Sequence, residues 1–103
     1  MSNSTWSFAG FVQWLLTKSE ALRESGATVE LDVHQTPRAS ARLRIERGRR
    51  LAELTVWDDG AAHMAVIDLP SGDFIFERDG MSLAEASSSS GLKEFFEQLE
   101  AGL

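Results

Sequence analysis

The stretch LTVWDDGAAHMAVIDL, residues 54–69, gathers a Trp, two adjacent Asp, a Gly and one of the chain's two His. Asp58 and Asp59 are the first residues whose type permits chemistry, since two carboxylates act as general acid and base when their surroundings split their pKa values. Adjacent residues on an extended chain point to opposite faces, however. Asp-Gly between two apolar runs is moreover a hairpin signal. Asp58, Asp59 and Gly60 therefore read as a turn rather than a catalytic dyad. His34 and His63 sit on separate segments without H-x-x-H spacing, whereas a metal site needs three or four converging ligands. No Ser occupies a Gly-x-Ser-x-Gly elbow, and no Gly-rich loop offers to cradle phosphate. No catalytic residue, metal or cofactor is expected, and no enzyme activity.

Two features remain for recognition. Segment 38–50, RASARLRIERGRR, holds six Arg against one Glu, while the rest of the chain has 4 basic and 15 acidic residues. The formal net charge of -6 argues against nucleic acid as partner and for a basic protein. Within the segment, Arg42 and Arg44 are expected to face acidic neighbours across a strand pair, and Arg47, Arg49 and Arg50 to form a solvated tip. Trp57 is the second feature. On the polar side of a sheet an indole needs cover, either from the protein itself or from a partner. Arg42 stacked on it would contribute about 0.5–1 kcal/mol, and Trp and Arg are the types enriched at interface hot spots. Trp6 and Trp14 are expected at the core or its edge.

The elements that position these residues follow from periodicity. Phe8, Phe11, Val12, Leu15, Ser19 and Leu22 form one stripe at spacings of three and four, which predicts a helix over 6–25 capped by Ser4 or Thr5 and ended by Gly26. Strict alternation predicts strands over 28–34, 40–46 and 51–57, with Val29, Leu31, Val33, Ala41, Leu43, Ile45, Ala52, Leu54 and Val56 inward. One register places Asp32 opposite Arg42, Glu30 opposite Arg44 and Glu53 on Arg44's other side, and it aligns the apolar residues on the reverse face. Each such opposite-charge pair contributes about 0.2–1 kcal/mol.

Two further strands are predicted over 62–69 and 73–78. Here alternation fails: Ala65, Val66, Ile67, Leu69, Phe74, Ile75 and Phe76 put apolar groups on both sides, so these strands are buried on both faces or covered by a partner. Residues 79–91 read as loop, with a capping-box turn at Ser82–Glu85. Leu92, Phe95, Phe96 and Leu99 then form the apolar stripe of a closing helix. The fold class is α+β: an antiparallel five-stranded meander sheet flanked by an N-terminal and a C-terminal helix, one domain over 1–103.

The chain has no cysteine, which suits a reducing compartment. No apolar run approaches the roughly 20 residues of a membrane span, and the first residues lack the basic start of a signal peptide. A cytoplasmic location without membrane contact is expected.

The second half carries a family resemblance. The LTVW strand, the DDG turn, AVIDLPSGDFIF and the closing EFFEQLEAG helix resemble the TriTu family of bacterial immunity proteins. The most specific element is the W-x-x-G hairpin of Trp57–Gly60, followed by Val66-Ile67-Asp68 and then Phe74-x-Phe76. The resemblance implies a non-enzymatic protein that binds a cognate toxin domain of a polymorphic toxin, including Rhs-type effectors of type VI secretion. The name-giving toxin is an ADP-ribosyltransferase acting on elongation factor Tu. A monomer in a 1:1 complex is expected, with Trp57, Asp58, Asp59, Arg42, Arg44 and His63 as contact residues. The alternative is a type III-like secretion chaperone for an effector, which is also typically small, acidic and α+β.

Overall fold

The structure is a computed structural model, and it describes residues 6–35, 38–83 and 89–101, without the side chains of Ser89 and Ser90. Helix α1 spans Phe8–Glu24. Ser7 caps it, its hydroxyl accepting from the Gly10 N–H at 3.0 Å. This displaces the expected start: Ser4 and Thr5 lie outside the described residues, and a Ser later in the same run does the capping. The other end is built as the expected Gly26 stop requires. Gly26 takes φ 105, its N–H donates to the Arg23 carbonyl, and the Ala27 N–H donates to the Leu22 carbonyl, both at 3.0 Å. These are the two bonds of a Schellman motif, which needs a left-handed residue at that position. Leu15, Ser19 and Leu22 are buried, and the Ser19 hydroxyl is satisfied by the Leu15 carbonyl at 2.7 Å.

Five strands follow: β1 Thr28–His34, β2 Ser40–Arg47, β3 Arg50–Trp57, β4 Ala61–Asp68 and β5 Asp73–Ser82. They pair antiparallel in the order β1-β2-β3-β4-β5. The charge register holds residue by residue, with Asp32 opposite Arg42, Glu30 opposite Arg44, and Glu53 beyond Arg44. Helix α2, Ser89–Glu100, closes the described chain.

The stretch 79–91, expected as loop, is in part regular. β5 continues to Ser82, and α2 begins at Ser89. Asp79-Gly80 resembles a turn in sequence, but Gly80 at φ 70 lets the strand continue through it, and the β4–β5 register shifts between Ala62 and Met64 and again between Val66 and Ile67. Of the anticipated turn at Ser82–Glu85, Ser82 is strand, Leu83 lies in a turn, and the rest falls outside the described residues.

Both helices pack on one side of the sheet. Leu15 and Leu22 of α1 and Phe95, Phe96 and Leu99 of α2 share a single core cluster with Val29, Ala41, Leu43, Ile45, Ala52, Leu54, Val56, Ala62, Met64, Val66 and Phe76. α1 lies over β1, and α2 over β3, β4 and β5. An aromatic edge ties the helices together: Trp14 of α1 meets Phe96 of α2 at 5.9 Å between ring centroids. Trp14 is less enclosed than its place beside the stripe suggests, being 43% exposed at the rim between the helices.

Candidate interaction face

Because the helices share one side, the opposite face of the sheet has no covering element among the described residues. Strand alternation and register decide what that face carries. Across β2, β3 and β4, one row reads Arg42, Thr55, His63. The next, reaching β5, reads Arg44, Glu53, Ala65, Glu77. The row beyond reads Glu46, Leu51, Ile67, Phe74. At the other end Trp57 stands opposite Ser40. The expected contact residues Trp57, Arg42, Arg44 and His63 therefore share this face, and Asp58 and Asp59 lie in the turn at its end.

That turn is tied down from several directions. The Trp57 carbonyl accepts from the Gly60 N–H at 2.9 Å, and Gly60 takes φ 92. No described non-glycine residue has positive φ, so this is a turn closed by one left-handed glycine rather than a two-residue turn of the Asp-Gly type. The Asp58 N–H donates to the Ala39 carbonyl at 2.9 Å, and the Asp58 carboxylate accepts from the Ala39 N–H at 3.2 Å. The Asp58 carbonyl accepts from the Trp6 indole N–H at 2.8 Å. The Leu83 N–H donates to the Gly60 carbonyl at 2.7 Å. Asp59 accepts from the Ala61 N–H at 3.0 Å and from Arg38 at 3.0 Å. The Ala61 N–H first, and then Arg38, hold its carboxyl below the usual aspartate range.

Arg38 also answers what covers Trp57. Its guanidinium lies 5.1 Å from the indole centroid, so the cation over the ring is Arg38 and not the anticipated Arg42. Asp59 holds Arg38 in place by charge-assisted hydrogen bonds. Arg42 instead reaches Glu53 at 3.1 Å, and Arg44 reaches the same carboxylate oxygen at 3.7 Å. Glu30 and Asp32 stand opposite these two Arg but form no ion pair among the described residues.

The remaining Arg are only partly the solvated tip that was expected. Arg47 donates to the hydroxyl of Ser25 at the end of α1. Arg50 donates to the Gln98 carbonyl near the end of α2 at 2.7 Å and lies 4.0 Å from Asp68. A cation at a helix C-terminus meets orphan carbonyls and the negative end of the dipole, so Arg47 and Arg50 clamp the two helices to the β2–β3 turn. Arg49 alone of the three is exposed.

His63 places Nδ1 3.2 Å from Asp79 Oδ1. Among the described residues, no group of three His, Cys, Asp or Glu is placed to hold a metal ion. Among the described residues, no helix is long and apolar enough to cross a membrane. An open groove of 450 Å³ lies between the helices, lined by Trp14, Lys18, Leu92 and Phe96 among others. A smaller trough of 280 Å³ runs over Thr28, Glu30, Arg44 and Glu46 on the open sheet face.

One group escaped the reading of the sequence. Arg38 and Trp6 fix the Trp57 turn through contacts distant along the chain, and no local pattern announces those. The apolar row Leu51, Ile67, Phe74 did leave a signal, the failed alternation of the last two strands. Phe74 is 58% exposed, Leu69 40% and Ile75 38%.

An antiparallel sheet sealed by helices on one side and bare on the other, with charged and apolar residues ordered in rows, has the architecture of a small binding module. The chain belongs to the TriTu family of immunity proteins: the family model described as immunity protein TriTu matches residues 9–98. Its function is immunity, and its partner is a cognate toxin protein. No curated protein and no solved structure matches the chain.

Proposed function

We propose that the chain neutralises its toxin by stoichiometric occlusion, one copy seated by its open sheet face over the toxin's active site or target-binding surface, in the cytoplasm of the producing bacterium. The toxin is an ADP-ribosyltransferase domain of an Rhs-type, type VI-delivered effector, as the family resemblance implies. The observation that carries this reading is the uncovered face. Five strands about 4.8 Å apart and about 23 Å long give a footprint on the order of 500 Å². Side-chain relief brings that towards the roughly 800 Å² per partner of a stable complex. Trp57, Arg42, Arg44 and His63 lie on this face, and Asp58 and Asp59 shape its end.

Expression of the toxin domain inside cells, with and without this chain, tests the proposal. Rescue of growth, a purified 1:1 complex and loss of transferase activity in that complex are the expected outcomes. A chain that raises effector secretion without rescuing the cells is a secretion chaperone instead.

A further inference from the structure

The two ends of the open face differ in how far the protein satisfies its own groups. At the Trp57 end the indole is covered by Arg38, and the turn beneath it is bonded to Trp6, Ala39, Arg38 and Leu83. At the opposite end Leu51, Ile67 and Phe74 stand directly across from one another on β3, β4 and β5. Phe74 is the most exposed of the large apolar side chains there, and Leu69 and Ile75 adjoin it in the same hairpin. Exposed aromatic groups clustered with aliphatic neighbours mark interaction sites.

We infer that the row Leu51–Ile67–Phe74 is the energetic centre of the toxin interface, and that its partner is a basic protein surface with an apolar pocket that receives Phe74. This rests on the occlusion reading and names where and by what chemistry it acts. The basic character follows from the rim. Glu46 is in the same row, Glu77 is in the next, and Asp73 is in the strand next to Phe74. The carboxylates of all three are without a hydrogen bond or ion pair among the described residues; of the exposed cations there, Arg44, in the row of Glu77, is paired with Glu53, and Arg49 stands in the β2–β3 turn. A second copy of the chain would bring these carboxylates against each other, at a net charge of -6. Strand addition along β5 is opposed by its irregular pairing at Ile75, so the contact is made by side chains from the face.

Calorimetric titration of the purified chain with its cognate toxin domain tests this. Phe74→Asp is expected to weaken binding by about 30-fold or more, as hot-spot truncations do, with an unchanged thermal melt. Phe74→Leu is expected to stay within a few-fold of wild type. Glu77→Lys, at an exposed position, guards against misfolding as an explanation. It is expected to weaken binding by up to about tenfold at low salt, through slower encounter, and the effect should fade at high salt. Tight binding by Phe74→Asp overturns the inference while leaving occlusion intact. So does a wild-type dimer that Phe74→Asp converts to monomer. Failure of the wild-type chain to bind the toxin at all contradicts occlusion itself, and this inference with it.

Discussion

The β3–β4 and β4–β5 hairpins both turn through an Asp and a left-handed Gly, yet they end in opposite conditions. In the first, Gly60 closes a turn that is bonded to three distant segments, and the one large side chain it presents is covered by Arg38. In the second, Asp68 accepts from the Ser71 hydroxyl at 2.8 Å and the Gly72 N–H donates to the Asp68 carbonyl at 2.7 Å. The bond from the Leu69 N–H to the Arg49 carbonyl at 2.8 Å reaches only the adjoining turn, and Leu69, Phe74 and Ile75 stay exposed. A conspicuous Trp beside two Asp draws attention to the first hairpin. Physical satisfaction points to the second, because groups already paired within the protein offer a partner little that is new.

The sharpest way to break this comparison is a double dissociation. Phe74→Asp should cost about 2 kcal/mol or more in toxin affinity and, at a solvated position, stay within about 0.5 kcal/mol of wild type in folding stability. Trp57→Ala should do the reverse. Loss of a half-buried indole and its cation contact should cost about 2 kcal/mol in denaturant unfolding and change affinity less than Phe74→Asp does. If Trp57→Ala proves the more damaging to affinity, the ranking of the two ends is inverted. Smaller effects sharpen the first hairpin. Gly60→Ala forces a Cβ into φ 92 and should destabilise by about 1–2 kcal/mol. Arg38→Ala should cost about 0.5–1 kcal/mol through the lost contact with the indole, and leave the Trp57 ring more accessible to a fluorescence quencher.

The last effect is one of pH. Asp59 and Asp68 are both held below the aspartate value of 3.8, chiefly by the Ala61 N–H and by the Ser71 hydroxyl respectively. The unfolded chain therefore takes up these protons more readily than the folded one. The stabilisation is complete well above pH 3.8 and disappears as pH falls through the lowered folded values. Asp59→Asn and Asp68→Asn should each flatten the decline of stability in acid, and a decline as steep as that of wild type in both variants would sink this assignment.

Much of the architecture was legible because local rules agreed. Alternation in β1, β2 and β3, and a register that paired charge with charge on one side and apolar with apolar on the other, left one alignment. That side-by-side agreement did not extend to destinations of long side chains. Arg42 and Arg44 stand opposite Asp32 and Glu30 yet reach Glu53, since a flexible guanidinium chooses among several carboxylates on one face. Arg47 and Arg50 read as solvent-facing because their partners, Ser25 and the Gln98 carbonyl, come from helix ends that only the tertiary fold delivers. The start of α1 was misplaced because a run of Ser and Thr offers several equivalent caps. β5 was cut short because Asp79-Gly80 carries turn chemistry that the strand uses to pass an irregularity. The apolar end of the open face was visible as broken alternation, but whether a helix or a partner covered it depended on which side both helices chose.

The central claim is that the open sheet face, and not the helical side, meets the toxin. Amide chemical-shift mapping of the labelled chain titrated with its toxin domain tests it most directly. The account predicts that the largest changes fall on Leu51, Ile67, Phe74 and Ile75, with smaller ones towards Arg42 and His63. Changes concentrated instead around Trp14, Lys18, Leu92 and Phe96, in the groove between the helices, would contradict it.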